Sequence, residues 1–179
     1  RVLIFMPTIR ASQPLDLPAI TAIYRHHVLH GTGSFETEPP SLQEMSQRRQ
    51  DVLDKQLPWL VAEDEDGSIL GYAYANWFKP RPAFRFSAED SIYVAEHVRG
   101  RGIGRLLLEA LCRECEAAGV RKLIAVIGDS SNAGSIGVHR AMGFEHAGTL
   151  RNVGWKLERW LDVVMMEKSL GAGSSTAPV

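Results

Sequence analysis

Between Val98 and Gly104 the chain reads Val-Arg-Gly-Arg-Gly-Ile-Gly, directly after the apolar run Ser91-Ile92-Tyr93-Val94 and directly before a helical pattern. Glycines at positions 100, 102 and 104 let a backbone come close to an oxyanion, and the first amides of a helix lack intrahelical acceptors and can bind it. Arg99, Arg101 and Arg105 add positive charge. This arrangement predicts a cradle for a pyrophosphate. Two common phosphate-binding patterns do not fit: the chain has no Gly-Lys-Ser/Thr of a P-loop, and Arg105 stands where the dinucleotide fingerprint needs a glycine.

Other reactive side chains point elsewhere. Cys112 and Cys115 sit mid-helix, whereas redox pairs of that spacing usually open a helix and zinc sites need more ligands; they read as reduced core residues. His26 and His30 are one turn apart but have no evident third ligand, so no metal is expected. With 20 basic and 21 acidic residues the chain has no broad field for nucleic acid or an anionic membrane. No apolar span is long enough to cross a bilayer, and residues 1–5 are too short for a signal peptide's apolar region, so a cytoplasmic location is expected.

The elements that must position these residues follow from periodicity. At 179 residues and 45% apolar composition, one domain is expected over 9–170, with 1–8 an N-terminal extension, Met6 a candidate natural start, and 171–179 a flexible tail. A short strand begins at Ile9-Arg10. Asp16 is placed to cap a helix with Pro18 in its first turn and Leu17, Ile20, Ile23, Tyr24 and Val28 as its apolar stripe, stopped by Gly31 and Gly33. Ser41 and Glu44 suggest a capping box for a second helix. Trp59 to Glu63 and Ile69 to Trp77 flank the turn signal Asp66-Gly67, and Ser91 to Val94 makes the next strand. After the loop, a helical stripe from Ile103 to Ala118, a β-rich run Lys122 to Ile127, a helix from Asn132 to Met142 and a late strand near Val163 to Glu167 complete a mixed α/β domain.

Arg99-x-x-Gly102-x-Gly104 matches the Arg/Gln-x-x-Gly-x-Gly/Ala loop of the GNAT acyl-CoA N-acetyltransferases. Asn132 to His139 followed by Met142-Gly143-Phe144 resembles that family's second cofactor segment. The resemblance covers about Ile9 to Leu170 and lies nearest the phosphinothricin and methionine sulfoximine/sulfone acetyltransferases. Phe35 to Pro39, Lys79-Pro80-Arg81-Pro82, Ala88 to Val94 and Arg159 to Asp162 carry it. Asp90, where His or Ser is common, and Trp155 and Glu158 depart from that pattern.

The resemblance implies an α/β (α+β) GNAT fold, with a mostly antiparallel sheet flanked by helices, and transfer of an acetyl group from acetyl-CoA to the α-amine of a small amino acid. It implies Glu89 as general base, since an α-ammonium of pKa about 8 must lose a proton before it attacks. It assigns an oxyanion-stabilising amide to Val94, and contacts with acetyl-CoA to Ile92, Tyr93, Val94, the loop Arg99-Gly100-Arg101-Gly102-Ile103-Gly104, Asn132 and Ser135. His139 stands where many relatives keep a tyrosine acid, and is a candidate to protonate the sulfur or relay the amine proton. Lys79 and Arg81 are candidate anchors for substrate anions, and Phe35 and Trp77 candidate pocket walls. A homodimer is expected, with the aromatic segment Trp155 to Trp160 taking part. The rivals are a protein N-terminal or other amine acetyltransferase, and a non-catalytic acyl-CoA sensor.

Overall fold

The computed structural model describes residues 6–179. Among them one sheet runs in the order β1-β2-β3-β4-β5-β7-β6, from β1 (Thr8–Ala11), β2 (Trp59–Glu63), β3 (Ile69–Trp77), β4 (Ser87–Val94), β5 (Lys122–Gly128), β6 (Glu145–Lys156) and β7 (Arg159–Ser169). Neighbours are antiparallel except β4 and β5, joined by the crossover helix α3 (Ile103–Ala117). The mixed, mostly antiparallel α/β architecture is as expected. Helices α1 (Leu17–His30) and α2 (Leu42–Asp54) cover one face of β3 and β4, where Tyr24 packs edge-on against Tyr93. The other face carries α3, whose Leu107 lies against Gly71 of β3, and α4 (Ala133–Ala141), whose His139 reaches Asp90.

Leu107, Leu108 and Leu111 of α3 are wholly buried, each worth roughly 2 kcal/mol by area removed from water. Cys112 and Cys115 join this core unpaired.

Several expectations need correction. Asp16 makes no side-chain cap hydrogen bond to α1; it ends a 3-10 turn, and its carboxylate accepts from Arg10 (2.8 and 2.9 Å) and from the Gln13 amide that opens that turn (2.7 Å). Ser41 does cap α2 by accepting from the Glu44 amide, but the Glu44 carboxylate turns one turn along to Arg48 and leaves the box half-made. β4 starts at Ser87, so Glu89 lies inside the strand rather than before it. The late strand extends to Arg159–Ser169, and its partner β6, absent from the expected elements, forms the exposed edge of the sheet. Leu157 and Glu158, both at positive φ, make the two-residue turn between them.

Residues 1–5 of the expected extension lie outside the described residues, and Thr8 already belongs to β1. In the segment expected as a tail, the Arg121 guanidinium donates to the carbonyls of Gly173 and Ala177 and to the Thr176 hydroxyl. Among the described residues no helix is long and apolar enough to cross a membrane.

One parting and one close approach shape the middle of the sheet. β4 pairs with β5 only from Ser87 to Asp90, whereas it stays with β3 through Val94. β5 meanwhile follows β7 through Gly128, so the two strands part after Asp90. At the end of β5 the carbonyl of Thr32, in the α1–α2 connection, would sit 1.8 Å from any Cβ added to Gly128. Gly128→Ala should therefore force the connection away and lower stability by about 2 kcal/mol or more, read as a fall in thermal unfolding midpoint.

Candidate active site

A cleft of about 1270 Å³ opens where β4 and β5 part. Its geometry at the strand end follows from register. The Ala95 amide donates to Leu70 and the Phe78 amide to Ser87, which places the odd-numbered residues of β4 in hydrogen-bonded register with β3. The amides of Ile92 and Val94 therefore point to the opposite edge, where β5 has left. On that edge the Val94 carbonyl accepts from His27 Nε2 (2.8 Å). Because a carbonyl only accepts, His27 carries its proton on Nε2; burial, opposed by this bond, pushes its pKa down and keeps the ring neutral.

At the other end of the cleft the loop before α3 presents its backbone. Gly100 and Gly102 have φ of +76° and +80°, a region that a side chain would strain. Outside α3's own ladder, the amides of Gly100, Gly102, Ile103 and Arg105 have no backbone acceptor among the described residues. Arg99, the first arginine of the loop, is held by Glu96 at 3.1 Å, and Glu96 also takes His26. Asn132 caps α4 by accepting from the Ser135 amide (3.2 Å), and its own amide group lies 3.4 Å from the Gly128 carbonyl. The expected Ile92, Tyr93, Val94, Arg99, Gly100, Gly102, Ile103, Gly104, Asn132 and Ser135 all border this one cleft, but Arg101 is exposed outside it.

Glu89 and Asp90 are adjacent in sequence and opposite in space. Glu89 points to the α1 and α2 face beside Tyr74 and lines the cleft; its carboxylate accepts no side-chain hydrogen bond among the described residues. Burial pushes this carboxyl up to about 6, with neighbouring Asp90 adding to the shift and Lys79 opposing it. Asp90 points the other way and accepts from His139 Nε2 at 2.9 Å, both side chains nearly fully buried. His139 Nδ1 is 2.7 Å from the Ser135 carbonyl, so it too carries a proton. Burial opposes the charged ring, but the Asp90 bond and charge and the Ser135 carbonyl outweigh it and raise the pKa.

In the structure both nitrogens of His139 are thus taken, Nε2 by Asp90 and Nδ1 by the Ser135 carbonyl, while the ring borders the cleft. It ties α4 to the last residue of β4 that still pairs with β5.

The expected substrate residues fall partly inside and partly outside the cleft of the single chain. Phe35 lines the cleft, its ring against Gly154, where a Cβ would meet it at 2.4 Å. Trp77, Lys79 and Arg81 do not border it. Trp77 lies beyond Glu89 under Lys55, Lys79 covers the Phe78 ring, and Arg81 is exposed. Glu36, Arg48, Tyr74 and Arg159 also line the cleft. Glu36 lies in the string Phe35 to Pro39 and Arg159 in the string Arg159 to Asp162, so those two had a signal. Arg48 had only its i, i+4 spacing from Glu44.

A sheet that parts beside a loop of unbonded amides, with an accessible carboxyl between, has the shape an acyltransferase with a pyrophosphate-bearing donor would need. Comparisons agree. The model of the acetyltransferase (GNAT) family matches residues 20–144. The chain is 53% identical over 171 residues to phosphinothricin N-acetyltransferase of Alcaligenes faecalis, covering 96% of this chain and 86% of that one. It is 40% identical to the L-methionine sulfoximine/L-methionine sulfone acetyltransferase of Pseudomonas aeruginosa, covering 91% and 94%. The crystal structure of a phosphinothricin acetyltransferase from Sinorhizobium meliloti in complex with acetyl-CoA superposes with a TM-score of 0.95 at 44% identity, covering 98% and 94%. A ribosomal-protein-alanine N-acetyltransferase from Brucella melitensis superposes at 0.87 with 42% identity, covering 91% and 99%. The chain belongs to the GNAT family and is an N-acetyltransferase.

Removing one partner of the Asp90–His139 pair leaves the other buried and unmatched. Asp90→Ala should cost about 3 kcal/mol in urea denaturation, and Asp90→Ala with His139→Ala less than the sum of the two single changes.

Proposed function

We propose that the protein acetylates the α-amine of a small amino acid of the phosphinothricin or methionine sulfoximine/sulfone type, with acetyl-CoA as donor and by direct transfer. The observation that carries this reading is Glu89: a carboxyl without a hydrogen-bonding side-chain partner, shifted to about 6, facing the same cleft as the unbonded amides of the loop. Likeness to enzymes named for these substrates supports the choice of substrate.

Acetyl-CoA, when bound, supplies an acetyl group activated as a thioester. The cleft suits such a molecule: the amides of Gly102, Ile103 and Gly104 would meet its pyrophosphate, and the free edge of Ile92 to Val94 its pantetheine arm. Glu89, ionised above about pH 6, takes the proton of the incoming ammonium directly or through a water. The Val94 amide, on the edge vacated by β5, donates to the oxygen on which negative charge grows. His139 acts as a positioning residue, holding Asp90 and with it the branch point of the strands.

A second reading, acetylation of a protein N-terminus, is favoured by the Brucella melitensis relative. Release of free CoA thiol with phosphinothricin, methionine sulfone, common amino acids and short peptides separates the two. Turnover confined to the small amino acids upholds the proposal, and turnover of peptides alone overturns it.

We further propose a homodimer through the β6–β7 hairpin, where Trp155 and Trp160 meet edge to face yet remain 59% and 58% exposed. A cytoplasmic location suits the two buried free thiols.

Glu89→Gln should bind acetyl-CoA normally and lose about 100-fold or more in kcat. Because only the ionised carboxylate accepts a proton, wild-type kcat/KM should fall about tenfold per pH unit below about 6, a limb that Glu89→Gln should lack. Replacing Trp155 and Trp160 together by alanine should shift the protein to monomer in sedimentation velocity.

A further inference from the structure

The α1–α2 connection lines the cleft from Gly31 to Glu36, yet among the described residues none of residues 32–40 takes part in a backbone–backbone hydrogen bond. A segment without a ladder keeps its place through side chains and through contacts made from outside it. Two such contacts come from the flanking helices: Tyr24 of α1 meets Ser34 Oγ at 2.8 Å, and Arg48 of α2 holds Glu36 at 2.6 Å.

A third comes from the edge of the sheet. Lys156 is the last residue of β6, and its Nζ donates to the Ser34 carbonyl at 2.6 Å and lies 3.5 Å from the carbonyl of His27, in the last turn of α1. Lys156 is only 5% exposed, and burial pushes its pKa down, with the charge of Glu36 opposing. A lysine is seldom so buried unless its ammonium is held, and here two carbonyls hold it, one of them at the negative end of a helix. Two residues earlier, on the same face of the strand, Gly154 leaves room for the Phe35 ring, which a Cβ would meet at 2.4 Å. Trp155, between them, is exposed on the other face. His27 in turn donates from Nε2 to the Val94 carbonyl. One line of contacts thus runs from β6, through the end of α1, to the tip of β4.

We infer that the end of β6 is a clamp on the α1–α2 connection, with Lys156 as a positioning residue for acetyl transfer and Gly154 as the seat for Phe35. Lys156 does not itself border the cleft. It fixes the carbonyls of Ser34 and His27, and with them the wall of the cleft and the bond that steadies the strand tip.

Limited proteolysis with chymotrypsin tests the clamp, cleavage after Phe35 reporting the connection and cleavage after the buried Tyr72 of β3 reporting global unfolding. In Lys156→Met, which keeps the side chain's length and drops its charge, cleavage after Phe35 should rise about tenfold while cleavage after Tyr72 changes by less than about twofold. Gly154→Ala leaves Lys156 intact but displaces Phe35, and should raise cleavage after Phe35 about threefold; it decides alone if Lys156→Met does not fold. The kinetic arm rests on the amino-acid reading above: with phosphinothricin, kcat/KM of Lys156→Met should fall about tenfold, while the Kd of acetyl-CoA by calorimetry moves less than about threefold, because the loop before α3 lies at the other end of the cleft. Cleavage after Phe35 that is unchanged in both variants, or that rises only in step with cleavage after Tyr72, would overturn the inference, as would an unaltered kcat/KM once the connection is freed. Failure of the unaltered enzyme to acetylate phosphinothricin would instead overturn the amino-acid reading, and the cleavage rates would still decide the clamp.

Discussion

The parting of β4 from β5 after Asp90 is the constraint on which the site depends. In a regular parallel pair the amides of Ile92 and Val94 would be spent on the neighbouring strand. Here β5 is committed to β7 as far as Gly128 and β4 to β3 as far as Val94, so the two diverge and leave a free strand edge inside the protein. Such an edge is costly to leave unmatched, and the structure holds it open from both ends. His139 grips Asp90 at the branch point, while His27 takes the Val94 carbonyl at the tip.

Strand alternation then sorts the chemistry. Adjacent residues of β4 face opposite sides of the sheet, so Glu89 meets the α1 and α2 layer, with Tyr74, Glu36 and Arg48, while Asp90 meets α4. Two neighbouring carboxyls thereby take different roles. One is accessible, raised towards neutrality and free to exchange a proton; the other is buried in an ion pair. Asp90, which departs from the expected residue, takes one nitrogen of His139, so the imidazole borders the cleft already tied to the strand.

Much of the fold was legible in local pattern. β2 and β3 run over the expected spans, α4 begins at its asparagine cap, and the loop of alternating glycines opens α3. β6 was not legible, because an exposed edge strand with glycines at 148 and 154 and mostly polar neighbours shows no alternation strong enough to mark it. Asp16 looked like a cap because residue type suits it to that role. Arg10, a residue from the neighbouring strand, took its carboxylate instead.

Residue type and spacing alone were sufficient for the glycine-rich loop that opens α3 and the strand–helix–strand crossover around it, and the resemblance of short strings for the family, because each rests on groups within a few residues of one another. The partners of those groups were settled only by packing. Lys79 and Arg81 are as cationic as Arg48, and nothing in their order along the chain says which borders the cleft. That was decided by the α1–α2 connection, which passes over the end of β5 at Gly128 and brings Phe35 and Glu36 to the cleft beside Arg48. Contacts between segments this far apart depend on how helices and sheet close around the core, a property of the assembled fold rather than of any segment.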